Sequence, residues 1–112
     1  MAKKEMRTEP RLMRGRKATV ALGESASPCV IQDFSTKGFM VMATKKFSVG
    51  DVVELRTELY PGQILECKVE VRHVSDDNCL GTRIVEISEA AARLCQHFME
   101  EHYADRLKYE GR

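Results

Sequence analysis

At 112 residues the chain has the length of one typical domain, which leaves no room for a separate catalytic partner domain. Apolar residues make up 43% and charged residues 31%, with a formal net charge of +1, so a modest core under a soluble surface is expected, and bulk charge points neither to a nucleic-acid polymer nor to a membrane surface. No window approaches the roughly 18 apolar residues needed to span a bilayer, and the start lacks the apolar stretch of a signal peptide, so the expectation is a cytoplasmic protein without membrane insertion.

The first 20 residues are unlike the rest: Lys3, Lys4, Arg7, Arg11, Arg14, Arg16 and Lys17 stand against Glu5 and Glu9, which puts +5 on this arm and −4 on the remainder. A short basic arm on a faintly acidic body reads either as a generic polyanion tail or as a clamp for a small phosphorylated ligand. From Ala18 onward β-rich or alternating runs recur at Ala18–Leu22, Cys29–Phe34, Gly38–Ala43, Asp51–Thr57, Ile64–Val74 and Cys79–Ile87. Turn-forming residues separate them at Gly23–Pro28, Ser35–Gly38, Val49–Asp51, Tyr60–Gly62 and Ser75–Asn78. Strands at this close spacing predict a small antiparallel barrel or sandwich. Within the fifth run Leu65, Cys67, Val69 and Val71 alternate with Glu66, Lys68, Glu70 and Arg72, giving one buried face and one charged face read as solvated.

After Ile87 the period changes. Ser88 can cap a helix, Glu89 suits its positive end, and Ala91, Leu94, Cys95, Phe98 and Met99 follow at three- and four-residue intervals, which predicts an amphipathic helix from about Ser88 to Leu107 lying over the core. The chain therefore divides into an arm (1–17), a barrel (18–87) and a helix with its tail (88–112), the protein being expected as a monomer or weak dimer. Cys29, Cys67, Cys79 and Cys95 are dispersed among apolar stretches with no C-x-x-C pair, as expected of reduced buried thiols. His73, His97 and His102 have no metal-ligand spacing, so no metal is expected. Nothing pairs a Ser, Cys or Lys nucleophile with a recognisable base, and no enzymatic activity is expected.

Two short patterns carry chemistry. In Arg7-Thr8-Glu9-Pro10-Arg11 the proline removes an N–H and pushes Glu9 away from helical geometry, so the segment is predicted to be extended. In an extended chain residues four apart face the same way, about 13 Å apart, so both guanidinium groups can reach one ligand of dinucleotide size. The second pattern, Asp33-Phe34-Ser35-Thr36-Lys37-Gly38, sits at a strand end: Asp33 and Ser35 project to one face and Phe34 to the other, and Gly38 permits a backbone conformation or close approach barred to residues with a Cβ.

Together these patterns resemble the PilZ family of cyclic di-GMP receptors, whose signature is an R-x-x-x-R arm followed by [D/N]-x-S-x-x-G; Arg7 and Arg11 match the first half, and Asp33, Ser35 and Gly38, which begin 22 residues after Arg11, match the second. Leu80-Gly81-Thr82-Arg83-Ile84 is a weaker echo of the glycine-containing last strand of such barrels, followed as in many members by a helix. The resemblance implies a mainly β protein: a six-stranded antiparallel PilZ-type barrel with a flexible N-terminal arm and a C-terminal helix. It implies no cofactor but a ligand, cyclic di-GMP, bound by Arg7, Arg11, Asp33, Ser35 and Gly38, and an effector protein that reads the bound state. The arginine fork fits both the O6/N7 edge of guanine and phosphate, the Asp33 carboxylate accepts from guanine N–H groups, and the Ser35 hydroxyl can give or take a bond. Gly81 and Arg83 are further possible contacts. Arg14, Arg16 and Lys17 read first as a solvated basic edge and second as added phosphate contacts. Met6 stands where many relatives carry another arginine, which favours one bound dinucleotide over a stacked pair. Two other readings remain open: a PilZ-like protein-interaction module that binds no nucleotide, and a nucleic-acid-binding barrel, against which the aromatic residues are too scattered to stack bases.

Overall fold

A computed structural model of the protein describes residues 15–102. Six strands come first, β1 (Arg16–Leu22), β2 (Ser25–Phe34), β3 (Phe39–Ala43), β4 (Val52–Tyr60), β5 (Gln63–Val74) and β6 (Cys79–Ile87), followed by one helix, α1 (Glu89–His102). All pairings are antiparallel, and the strands close into a barrel in the order β1-β2-β3-β6-β5-β4, with β4 returning to β1. The expected six-stranded barrel with a C-terminal helix is what the chain forms.

The alternation in sequence becomes the two faces of the wall. Along β4, Val53, Leu55, Thr57 and Leu59 are buried while Val52, Glu54, Arg56 and Glu58 are exposed, because successive side chains in a strand point to opposite sides. Inward residues from every strand meet in one core, with Val20, Ile31, Phe34, Val41, Leu55, Leu65, Val69, Val71 and Leu80 all but sealed from solvent. The outer face of β4, β5 and β6 is laced by charge, Arg56 to Glu66 at 3.3 Å and Lys68 to Glu86 at 3.6 Å. Exposed pairs of this kind set solubility and register more than stability.

The helix starts where its sequence says it should. Ser88 Oγ accepts from the Ala91 amide at 3.0 Å, and Glu89 occupies the first turn, so one orphan N–H is satisfied and the helix dipole is complemented. Ala91, Cys95, Phe98 and Met99 form the buried stripe, which closes the barrel on the side of β5. The residues expected to extend this helix toward Leu107, from 103 on, lie outside the described residues. Among the described residues no helix is long and apolar enough to cross a membrane.

Several strand ends differ from the sequence reading. The expected break at Gly23–Pro28 contracts to a two-residue turn at Gly23–Glu24, Gly23 having φ 63°, and β2 runs straight through Pro28. Pro28 stands opposite Thr19 of β1 but turns its carbonyl the other way, accepting from Thr44 Oγ1 at 3.0 Å beyond the last β2–β3 pair, Cys29 with Ala43, so its missing N–H removes no ladder bond. β4 continues past Thr57 to Tyr60, since the β4–β5 pairing extends to Tyr60 opposite Gln63 across Pro61-Gly62, with Gly62 at φ 78°. Proline followed by a positive-φ glycine is the order a type II turn demands.

Candidate functional site

The connection from β2 to β3 is built by the second sequence pattern. The Ser35 amide donates to the Gly38 carbonyl at 2.9 Å, and Ser35 Oγ accepts from the amides of Lys37 and Gly38, each at 3.1 Å, besides lying 3.1 Å from the Gly38 carbonyl. The serine hydroxyl therefore closes its own turn, the local chemistry for which serine is favoured there. The Asp33 carboxylate accepts from the Phe34 amide at 3.0 Å, and the β2–β3 register shifts between Ile31 and Asp33, so a bulge re-aims the strand end.

Why position 38 is glycine is settled by approach rather than by φ. A Cβ there would lie 1.9 Å from the Thr82 carbonyl oxygen, an impossible contact, so the turn can rest on β6 only with a hydrogen at that place. The Ile84 amide donates to the Lys37 carbonyl at 2.8 Å, and Thr82 Oγ1 both accepts from the Phe39 amide and donates to the Phe39 carbonyl. The turn is thus bolted to the middle of β6.

Around it lies an open cleft of about 440 Å³, lined by Asp33, Ser35, Lys37, Gly38 and Met40 on one side and by Arg72, His73, Gly81, Thr82 and Arg83 on the other. Pairing explains the meeting: Met40 is opposite Gly81, Gly81 opposite His73, and Thr82 opposite Val71. Three cations, Lys37, Arg72 and Arg83, face one carboxylate, Asp33, so the cleft is suited to an anion. A second groove, over β1, β4, β5 and β6, carries Glu54, Glu66 and Glu86 with Arg56 and Lys68 and lacks that excess of positive charge.

Of the residues read from the sequence, Asp33, Ser35, Gly38, Gly81 and Arg83 come together at the cleft. Arg7 and Arg11, with Met6 and Arg14, lie outside the described residues. Arg16 does not line the cleft; its guanidinium sits over the Phe98 ring at 4.9 Å. Lys37, Arg72, His73 and Thr82 also line the cleft and are not singled out by the sequence reading. Arg72 in particular reads from the sequence as part of a merely solvated face, because alternation tells which face a side chain occupies but not how far along the barrel it stands.

Compared with known families, the chain matches the PilZ domain over residues 5–101. It is a PilZ domain. The match takes in most of the arm, the barrel and nearly all of α1, so it covers the Arg7–Arg11 motif and the turn alike, and PilZ domains as a family are cyclic di-GMP-binding modules rather than enzymes. No curated protein matches this PilZ domain over its sequence.

Proposed function

We propose that this protein is a cyclic di-GMP receptor that orders its arm on the ligand and relays the bound state to a partner protein in the cytoplasm. The observation that carries the reading is the cleft itself: the Asp33–Gly38 turn, with its own Lys37, opens onto Arg72 and Arg83 from two neighbouring strands. A carboxylate for guanine N–H donors and cations for phosphates then lie within one concavity, of a volume ordinary for small-molecule sites. The topology favours delivery of the arm to the same place. Arg16 opens β1 opposite Ile31, two residues before Asp33, so the arm joins the barrel beside the end of β2 where the turn stands. Arg7 and Arg11 then supply the guanine edge and phosphate contacts, Asp33 receives guanine, and Gly38 keeps the turn seated.

Isothermal calorimetry with cyclic di-GMP tests this directly. Saturable binding is expected, and because charge-assisted hydrogen bonds are worth about 1.5–3 kcal/mol, Arg7→Ala or Arg11→Ala is expected to weaken it by roughly one to two orders of magnitude. Amide exchange in residues 5–17 is expected to slow when ligand is added. Absence of heat at high micromolar ligand would instead identify a PilZ interaction module that reads proteins and not the nucleotide.

A further inference from the structure

The residue between Asp33 and Ser35 also lines the cleft, but its ring is buried in the core. Phe34 is 1% exposed, and its ring lies 5.4 Å from Phe39, edge-on, and 4.9 Å from Phe98 of α1. The ligand turn and the helix thus share a ring-to-ring contact through the wall of the barrel.

A second residue arrives at Phe98 from the arm. Arg16, where the arm joins the barrel, holds its guanidinium carbon 4.9 Å from the same ring and donates from Nη1 to the Glu58 carbonyl at 3.1 Å, while its buried Nε has no acceptor among the described residues. Tyr60, at the end of β4, is the third neighbour: its ring meets Phe98 edge-on at 5.9 Å, and its hydroxyl bonds the Glu101 carboxylate. One side chain of the helix therefore touches the root of the arm, the inner side of the turn and the β4–β5 hairpin.

We propose that Phe98 couples the cleft to α1, so that a nucleotide joining the arm to the Asp33–Gly38 turn holds the helix more firmly on the barrel, and that α1 is the element through which the bound state is read. The proposal rests on the receptor reading above. Ligand that spans arm and turn restrains Arg16 and Phe34 at once, and with both fixed, seating Phe98 between them costs less conformational entropy. The coupling is reciprocal: whatever loosens the helix weakens the ligand by the same factor. Tyr60 does not line the cleft, and its hydroxyl bonds Glu101 of α1, so removing that hydroxyl perturbs the helix without touching the cleft.

Hydrogen exchange and calorimetry on the full chain, with cyclic di-GMP as the probe, decide the matter. Ligand is expected to slow exchange in residues 96–102 as well as in residues 33–38. Phe98→Leu is expected to lower affinity by about five-fold or more, the lower end of typical coupling between sites, and to abolish the slowing in the helix. Tyr60→Phe, which keeps the ring and removes only the bond to Glu101, is expected to shift both readouts in the same direction by less, and it decides the question even if the Phe98 variant folds poorly. Binding that protects residues 33–38 but leaves 96–102 unchanged, with both variants binding like wild type, overturns the coupling and leaves the receptor reading intact. Failure of the wild-type chain to bind removes both.

Discussion

Gly38 and Gly81 look alike in the sequence and are opposites in the structure. Gly38 abuts the Thr82 backbone, which cannot retreat without breaking the β3–β6 pairing, whereas a Cβ on Gly81 would meet only His73 Cβ at 3.5 Å, an ordinary contact. Gly38→Ala is therefore expected to lower stability by about 2–3 kcal/mol, the range for overpacking, and to disrupt the cleft. Gly81→Ala is expected to remain within about 1 kcal/mol of wild type, since removing glycine's freedom from the unfolded chain offsets the added bulk. Urea denaturation of the two variants measures the contrast. Ser35 is constrained in a different way, its hydroxyl being occupied within the turn. Ser35→Ala removes the acceptor for two amides, and a loss of about 1–2 kcal/mol in the same denaturation experiment is the expected result.

At the scale of elements, the Ser88 cap is the most local claim. Ser88→Ala leaves the Ala91 amide without its acceptor and is expected to cost about 1 kcal/mol, read as a lower thermal midpoint with helical circular dichroism retained below it. The same cap was legible in the sequence, as were all six strands, because a two-residue period and a serine before a three-to-four-residue period are written in side-chain chemistry alone. The strand ends were less legible. Pro28 reads as a breaker until the partner strand is known to stop at Ala43, opposite Cys29, and Thr57 reads as an end until the hairpin register carries β4 to Tyr60. The site was legible in half for the same reason: Asp33, Ser35 and Gly38 announce themselves within six residues, whereas Arg72, His73 and Thr82 join them only through β3–β6 and β5–β6 registers that no local pattern encodes.

For the molecule as a whole, the four cysteines report on the integrity of the barrel. Cys29, Cys67 and Cys95 are buried and Cys79 is half-buried, all as free thiols. Burial pushes Cys29 and Cys95 up to about 11 and Cys67 to about 12, the last helped by Cys95 nearby. A thiol whose pKa is raised on folding keeps its proton in the native state while the unfolded chain has lost it, so these groups favour the fold below their ordinary value of 9.0 and lose that contribution as pH rises toward 11 and 12. Denaturant midpoints are expected to fall steadily across that alkaline window and to be insensitive to these groups below it. At neutral to mildly alkaline pH a thiol-reactive probe is expected to label Cys79 first and the other three only as the chain unfolds.

The ring is closed by β1 against β4, in three residue pairs from Thr19–Arg56 to Ala21–Glu54. Because those partners are far apart in the chain, zipping this seam belongs to the slow, non-local part of refolding, on a millisecond-to-second scale of roughly the kind all-β domains show. The first stave of the barrel is thus the direct continuation of the basic leader. Trimming that leader back beyond Gly15 does more than shorten the arm: it pulls out a stave, and the margins of β2 and β4 that were bonded to it are left open to any strand that comes by.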